Sequence, residues 1–403
     1  MPRAHGLSYR AGHEVELLQG STEFFPALIA GMDAARHSIW LETYIFDFTG
    51  SAQDVAQALA RAALRGVSVR VVVDGVGTDA IPTLWRQRWQ AAGVQWRVFS
   101  PLGPGGLLIP NRWRRLHRKL CVLDGERLFC GGINVLDDWY DPHHGALRQP
   151  RFDLAVSLSG PVVAEAMDTM SRLWWRLEAA QAIRSRRLPR ALEDWRQALP
   201  APASGTLRNG PQGLRAALVL RDNLRHRARI EKAYLRAIGA AREEVLIANA
   251  YFLPGRKLRR ALVMAAQRGV RVQLLLQGRY ESFMQHHAAR PVYGPLLAAG
   301  VEIHEYEPSF LHAKVAVVDG CWSTVGSSNL DPLSLLLARE ANVVIDDREF
   351  AAGLRSALHA AMRQAGRPVQ PELLARRSWH LRVLDRVAFG LMRLALWLTG
   401  HRY

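Results

Sequence analysis

A set of five residues with fixed spacing occurs twice in the sequence and constrains the fold more than any other feature. Each copy begins with histidine and carries lysine at +2, aspartate at +7, glycine at +14 and asparagine at +17. The residues are His117, Lys119, Asp124, Gly131 and Asn134 in the first copy, and His312, Lys314, Asp319, Gly326 and Asn329 in the second. Only four of the 53 basic residues are lysines, and two of those four occupy this one position. The coincidence indicates an internal duplication, so we expect two halves with the same fold.

The segments that precede the two motifs repeat the same order of secondary structure. A buried strand, a helix that runs into Arg-Gly-Val and a second strand are predicted at 39–46, 55–65 and 67–74, and again at 245–253, 258–268 and 270–276. Glycine ends each helix, and β-branched residues then begin the next strand. Another helix and a short strand follow in each half, with the strands at 93–99 and 300–306. Strands alternating with helices favour an α/β fold in which mixed β-sheets are flanked by helices.

The composition of the chain predicts three parts. A segment rich in proline, glycine and arginine at 184–213 is the expected connection between the halves. We therefore predict an N-terminal domain over 1–195 and a C-terminal domain over 205–370, each with one motif. An amphipathic tail is expected over 371–403.

The repeated residue types suit a reaction at a phosphate diester. Residues two apart in a strand share a face, so the histidine and lysine of each motif should point to the same side. The Asp-Gly pair predicts a hairpin whose second strand returns the asparagine to them. Lysine can neutralise a phosphoryl oxygen, asparagine can donate a hydrogen bond, and histidine can act as a nucleophile or an acid. Two copies would place a nucleophile on one side of phosphorus and an acid on the other.

The two motifs, H-x-K-x4-D followed by G-(G/S)-x-N, resemble those of the phospholipase D superfamily. The resemblance covers roughly 13–350, and the segments ANAYFLPG and VGSSNLDPLSLLLARE are similar to those of bacterial cardiolipin synthases, the B type in particular. It implies two phospholipase D-like domains related by a pseudo-twofold axis, with one shared active site. It also implies a carboxylate that orients each histidine: Glu340 for His312, and Asp153 for His117.

The resemblance further implies a ping-pong phosphatidyl transfer through a phosphohistidine, without a metal or another cofactor. His117 would attack the phosphorus of phosphatidylglycerol while His312 protonates the departing glycerol, although the sequence leaves the assignment of these two roles open. A second phosphatidylglycerol would then accept the phosphatidyl group, so that the products are cardiolipin and glycerol. The sequence leaves phosphatidylethanolamine and free glycerol open as alternative partners. The charge on the phosphoryl oxygens would be stabilised by four side chains: Lys119, Lys314, Asn134 and Asn329.

Two further pairs of residues occupy equivalent places in the halves. Asp124 and Asp319 complete the motif and are candidate catalytic residues with it, although their position in turns favours support of the hairpin. Tyr44 and Tyr251 lie in the first strand of each half and could line the pocket. Core packing is the favoured interpretation for both tyrosines.

The formal charge of +17 favours an anionic partner. An apolar loop at 101–110 and an amphipathic stretch at 378–403 that contains arginines suit an anionic membrane surface. The sequence shows neither a signal peptide nor an apolar run of about 18 residues, and its three cysteines are typical of reduced thiols. We therefore expect a peripheral protein on the cytoplasmic face of the bacterial cell membrane that binds phospholipid and not nucleic acid. The oligomeric state is left open.

Three other functions are left open by the sequence. A phospholipase D would transfer the phosphatidyl group to water and release phosphatidic acid, and a nuclease would apply the same site to nucleic acid. A membrane-binding protein with an inactive site is disfavoured because both motifs are complete. The pairs His143–His144 and His286–His287 do not predict a metal site, since neighbouring side chains on a strand diverge and no ligand framework accompanies them.

Overall fold

The computed structural model describes residues 7–78, 80–103, 106, 113–141, 144–184, 213–222, 228–280, 283–331, 338–372 and 377–398. Nine helices lie in these ranges: α1 (Gly20–Ala34), α2 (Ala52–Leu64), α3 (Thr83–Ala92), α4 (Val162–Arg184), α5 (Arg229–Ala240), α6 (Arg256–Gln267), α7 (Phe283–Ala298), α8 (Arg348–Ala365) and α9 (Trp379–Leu398). The first ten strands are β1 (Arg10–Gln19), β2 (Ser38–Thr43), β3 (Ser68–Asp74), β4 (Gln95–Phe99), β5 (Arg115–Leu116), β6 (Lys119–Leu123), β7 (Arg127–Gly131), β8 (Tyr140–Asp141), β9 (Gly145–Ala146) and β10 (Leu154–Ser159). The other strands are β11 (Leu214–Arg221), β12 (Glu244–Asn249), β13 (Arg271–Gln277), β14 (Glu302–Tyr306), β15 (Lys314–Val318), β16 (Trp322–Gly326), β17 (Ala338–Asp346) and β18 (Gly366–Pro368).

Sixteen of the described strands form one continuous mixed sheet, and β8 and β9 form a separate hairpin. The first half contributes the order β4-β3-β2-β6-β7-β10-β1, and the second half continues with β11-β17-β16-β15-β12-β13-β14-β18. Equivalent strands therefore follow in reverse order on either side of the antiparallel contact between β1 and β11. This arrangement confirms the predicted duplication and its pseudo-twofold relation.

The strands predicted around the motifs are present, with one informative difference in length. The first strand of each half was expected to reach residues 46 and 253, but β2 ends at Thr43 and β12 at Asn249. Beyond β2 the amide of Ile45 donates to Oδ1 of Asn134 at 3.1 Å instead of joining a strand ladder. The motif asparagine thus binds the backbone just beyond β2, and Tyr44 lies between the end of the strand and this contact.

Three apolar clusters account for the buried core and place helices on both faces of the sheet. The central cluster combines strands of both halves with α4 and α8, one long helix from each half. The second cluster packs α1, α2 and α3 on the other face of the first half. The third packs α5, α6 and α7 on the corresponding face of the second half. The predicted α/β class, with mixed sheets flanked by helices, is confirmed.

The predicted tail contains α9, which packs against α7 along one face. Nδ1 of His287 in α7 lies 2.6 Å from Oδ1 of Asp385, and Ala388 is buried in the third cluster. The opposite face of α9 leaves a row of apolar side chains exposed: Trp379, Val383, Val387, Leu391 and Leu394. None of the helices in the described residues combines the length and apolar character needed to cross a bilayer. The predicted boundary at 195–205 and most of the loop at 101–110 lie outside the described residues, so the division into domains stays a prediction.

Candidate active site

Each motif histidine lies between a short segment that pairs with the opposite half and a strand that pairs within its own half. His117 and His312 were expected inside strands, but each lies just before one, because β6 begins at Lys119 and β15 at Lys314. The residue before each histidine pairs with the opposite half of the molecule. Leu116 is aligned in parallel with Arg339 of β17, and Leu311 bridges in parallel to Phe152.

Backbone hydrogen bonds fix both histidines against the opposite half. The amide of His117 donates to the carbonyl of Arg339 at 3.0 Å, and the amide of His312 donates to the carbonyl of Phe152 at 2.8 Å. The next residues along those partner segments are Glu340 and Asp153. Each histidine is therefore placed beside the carboxylate of the other half.

The side chains confirm this exchange and correct the sequence prediction. Nδ1 of His117 lies 3.0 Å from Oε1 of Glu340, and Nδ1 of His312 lies 2.6 Å from Oδ2 of Asp153. The prediction that Glu340 orients His312 and that Asp153 orients His117 is therefore wrong in its pairing, although it found the right four residues. The prediction gave each histidine the carboxylate that follows it in its own half, whereas the two halves exchange these carboxylates across the pseudo-twofold axis. A carboxylate on Nδ1 fixes the tautomer and leaves the Nε2 lone pair for chemistry.

The two lysines are buried beside the histidines. Lys119 is 4% exposed and Lys314 is fully buried, and Nζ of each donates to the backbone carbonyl of the histidine in its own motif, at 2.7 Å for Lys119. Burial lowers the pKa of Lys119 to about 7, against the opposing charge of Glu340. Two buried lysines at one place suit the binding of an anion, whose charge favours the protonated form of both side chains.

The electrostatics couple the groups of both halves into one site. Burial lowers the pKa of His117, while the charge of Glu340 opposes this shift. Burial together with the charges of Lys314 and Lys119 holds the pKa of His312 well below its ordinary value. Burial raises the pKa of Asp153 to about 6, although Lys314 works against it. Both imidazoles are therefore neutral in the free protein near pH 7, as a nitrogen nucleophile must be.

The glycines and the serine after each hairpin bring the chain close to these carboxylates. A side chain at Gly132 would collide with the Asp153 carboxylate, so only glycine fits there. The second half has Ser327 at this place, and its hydroxyl donates to Oε2 of Glu340 at 2.5 Å. This role of Ser327 was not predicted from the sequence, although the change from Gly-Gly to Gly-Ser between the motifs was a visible signal. Asn329 is almost fully buried at the equivalent of Asn134.

The motif aspartates are placed differently from the other candidates. Asp124 and Asp319 lie at the far ends of β6 and β15, about 16 Å along the strand from the lysines. Each has a positive φ, 52° and 49°, and its carboxylate accepts backbone N–H groups of the residues before the first strand of its half, at 36–38 and 242–244. These contacts correct their inclusion among the catalytic candidates and agree with the interpretation that they support the hairpin.

The tyrosines of the first strands also differ from expectation. The Tyr44 ring lies 4.9 Å from the His117 ring, and Nζ of Lys119 lies 5.5 Å from the Tyr44 ring centre. Tyr44 therefore lines the site, against the favoured interpretation of core packing, whereas Tyr251 packs against the central cluster. Contrary to the prediction, the two tyrosines are not equivalent, because the bridges Phe46–Val135 and Phe252–Leu330 align Tyr251 with Ile45. Asp74 was not predicted from the sequence. It is a fully buried carboxylate that accepts the amide of Leu116 at 2.7 Å and so holds the segment that carries His117.

The described residues contain no group of three or more His, Cys, Asp and Glu side chains arranged to hold a metal ion. Of the histidine pairs considered from the sequence, His143 lies outside the described residues, as does the side chain of His286. His144 and His287 each pair with one aspartate. The site combines two neutral imidazoles with two buried cations, which suits a phosphate diester.

Comparisons with known proteins agree with this chemistry. The family model described as cardiolipin synthase, phospholipase D-like domain, matches residues 28–147 and 234–362. Cardiolipin synthase B of Escherichia coli K12 is 35% identical over 98% of this chain and 92% of its own length. Cardiolipin synthase A of Cronobacter sakazakii is 30% identical over 96% of this chain and 76% of its own length.

A solved structure shares the whole fold. The crystal structure of phosphatidylserine synthase from Haemophilus influenzae Rd KW20 superposes with a TM-score of 0.70 at 13% identity, and the match covers 97% of each chain. At this identity the likeness establishes the fold, while the sequence matches establish the family. The predicted resemblance is confirmed: the chain belongs to the cardiolipin synthase family of proteins with phospholipase D-like domains.

Proposed function

We propose that the protein is a cardiolipin synthase that transfers a phosphatidyl group from one phosphatidylglycerol to another. The observation that carries this proposal is the single site formed by His117 and His312. Each imidazole is bonded through Nδ1 to a buried carboxylate of the other half, and a buried lysine accompanies each. This geometry provides two Nε2 atoms for one phosphorus, and the relatives named cardiolipin synthase support the substrate class.

The first half-reaction forms a phosphohistidine. As the anionic substrate binds, the His312–Asp153 pair takes up one proton from solvent, so that Nε2 of His312 carries it. Nε2 of His117 then attacks the phosphorus of phosphatidylglycerol, the bond from phosphorus to the glycerol oxygen breaks, and His312 donates that proton to the oxygen. The pKa of Asp153 is raised to about 6, so the His312–Asp153 pair retains a proton more readily than an ordinary carboxylate could. This shared proton makes His312 the proposed acid, although burial and the two lysines lower the pKa of its own imidazole.

The second half-reaction transfers the phosphatidyl group from His117 to the acceptor. A glycerol hydroxyl of a second phosphatidylglycerol loses its proton to His312 and attacks the phosphorus, and the bond from phosphorus to His117 breaks. Cardiolipin leaves, and both histidines return to their initial state. Lys119 and Lys314 stabilise the charge on the phosphoryl oxygens in both steps. Oδ1 of Asn134 accepts a backbone amide, so its amide nitrogen is the end left to donate to phosphate, with Asn329 as its counterpart.

The test uses purified protein with phosphatidylglycerol vesicles and separation of the lipid products. Cardiolipin with released glycerol is expected, and His117→Ala and His312→Ala should each abolish it. Phosphatidic acid as the only product would identify a phospholipase D instead. Cleavage of nucleic acid without lipid turnover would identify a nuclease.

We also propose that the protein acts as a peripheral protein on an anionic membrane, at the cytoplasmic face. The exposed apolar row of α9 recurs mostly every fourth residue, and Arg382, Arg386 and Arg393 lie beside it on one flank. A helix with this pattern lies in the plane of the interface, with its arginines at the lipid phosphates. Val387→Asp with Leu391→Asp should reduce sedimentation with phosphatidylglycerol vesicles. Leu64→Asp, at an exposed leucine of α2, is the matched control, and equal sedimentation of both variants would contradict the proposal.

A further inference from the structure

The proposed transfer requires two phosphate diesters close together. The acceptor phospholipid brings its own phosphate, separated by one glycerol from the hydroxyl that attacks. Lys119 and Lys314 are occupied with the phosphate that reacts. A second cation beside the acid–base histidine would therefore decide whether an anionic lipid, and not water, serves as the acceptor.

Arg279 contacts Phe310, two residues before His312, and belongs to neither motif. It is half-buried and follows β13, and its guanidinium carbon lies 4.9 Å from the ring centre of Phe310. Phe310 comes two residues before His312, which in an extended chain is a separation of about 7 Å. The ring of His144 lies 4.9 Å from the same phenyl ring. Phe310 is 3% exposed, so it holds Arg279 in place as a rigid platform.

Two other arginines near the histidines already have carboxylate partners. Nη1 of Arg115 lies 3.0 Å from Oδ1 of Asp74, and Nη2 of Arg151 lies 2.5 Å from Oδ2 of Asp141. For Arg279, no carboxylate within ion-pair distance is found among the residues that the structure describes. Its positive charge is therefore not neutralised by a described neighbour and can attract an anion.

The two halves carry different residues at this place, so the pseudo-twofold symmetry does not extend to it. Arg115 precedes His117 by two residues, as Phe310 precedes His312. Val76 stands two residues after β3, where Arg279 stands two residues after β13. Arg115, neutralised by Asp74, and Val76 thus accompany the proposed nucleophile. Phe310 and Arg279 accompany the proposed acid–base group. Displacement at phosphorus places the incoming group opposite the bond that breaks, so the acceptor enters on the side of His312.

We propose that Arg279, supported by Phe310, is the binding site for the phosphate of the acceptor phospholipid. This inference rests on the proposed function and assigns the choice of acceptor to one residue. It predicts that Arg279 distinguishes a phosphatidylglycerol acceptor from an uncharged alcohol or water. A charge-assisted bond to a phosphate oxygen should change this preference by about 10- to 100-fold.

The test compares two reactions of the full chain in detergent micelles with phosphatidylglycerol. One is cardiolipin formation, and the other is exchange of labelled free glycerol into phosphatidylglycerol, which uses an acceptor without phosphate. In Arg279→Ala the ratio of cardiolipin formation to glycerol exchange should fall by about 10- to 100-fold, with more phosphatidic acid formed, and Arg279→Lys should recover part of the ratio. Arg88→Ala is the matched control, because Arg88 also stacks on an aromatic ring, at 5.3 Å from Trp85, in α3.

The outcomes separate this inference from the proposed function. Wild-type protein that makes no cardiolipin would overturn the proposed function and the acceptor site with it. Wild-type protein that makes cardiolipin, together with an unchanged ratio in Arg279→Ala, would overturn the acceptor site alone. An equal fall in both reactions would also overturn it, because a general loss of activity does not depend on the acceptor. An unchanged ratio in Arg88→Ala is required for the assignment to stand.

Discussion

Replacing Glu340 by glutamine removes the carboxylate that lies 3.0 Å from Nδ1 of His117 and keeps the size of the side chain. Glu340 is fully buried and the His117 side chain is only 14% exposed, so water cannot substitute for the lost charge. His117 becomes positively charged as it attacks phosphorus, so the charged pair with Glu340 exists only from the transition state onward. Loss of one partner of a buried charged pair costs about 3–5 kcal/mol, which corresponds to roughly 10²- to 10⁴-fold in rate. Asp153→Asn should have an effect of similar size through His312, at 2.6 Å.

The assay uses two substrates that differ only in the leaving group. Phosphatidylglycerol has a poor leaving group that needs a proton, whereas a nitrophenyl ester of phosphatidic acid has a good one that leaves unaided. On the nitrophenyl ester, formation of the phosphohistidine should recover in His312→Ala and in Asp153→Asn. It should remain slow in His117→Ala and in Glu340→Gln, because these lack a competent nucleophile.

The pairing of the four variants is the decisive result. Exchange of carboxylates between the halves groups Glu340→Gln with His117→Ala and Asp153→Asn with His312→Ala. If Glu340→Gln instead recovered with His312→Ala, the functional pairing would lie within each half, and the inference from the hydrogen bonds would be refuted. If the pairs held together but recovered in the reverse order, the pairing would stand and His312 would be the nucleophile.

The other predictions concern Lys119, the two motif aspartates and Tyr44. Because the pKa of Lys119 is lowered to about 7, its ammonium loses a proton as the pH rises through 7, so kcat/KM should fall on that side. Lys119→Arg should remove this fall in kcat/KM at high pH, since arginine stays charged. Asp319→Ala should lower the free energy of unfolding by about 1–2 kcal/mol in urea titrations and leave kcat of the folded protein unchanged, as should Asp124→Ala. Tyr44→Ala should reduce kcat by about 3- to 10-fold and Tyr44→Phe much less, because the ring packs against His117.

The sequence predicted the repeated core of the fold well. The helix and strand that flank Arg-Gly-Val in each half are set by local periodicity and by a glycine stop, and neither needs information from the other half. The Asp-Gly turns are equally local, since positive φ at Asp124 and Asp319 requires the residue types that stand there. The repeated five-residue motif, with two of the four lysines at one position, then identified the histidines, lysines and asparagines of the site.

The features that the sequence did not predict are those that depend on contacts between the halves. Glu340 follows His312 by 28 residues and Asp153 follows His117 by 36, so proximity along the chain suggested the wrong partners. Their true partners are set by Leu116 beside Arg339 and by Leu311 beside Phe152, pairings that carry no local signal. Tyr44 was misjudged for a related reason, because its ring contacts His117, which is 73 residues away in the sequence.

The exchanged carboxylates also explain why duplication gives one site and not two. A half alone would hold a histidine and a lysine, but its histidine would lack the carboxylate on Nδ1, and its own carboxylate would be buried without an imidazole. Joining the halves supplies both partners at once, so orientation of either histidine depends on the same contact between the halves. Once the two histidines serve different steps, the residues around them are free to diverge. Phe310 with Arg279 on one side, and Arg115 with Asp74 on the other, are the divergence expected if only one side receives an anionic acceptor.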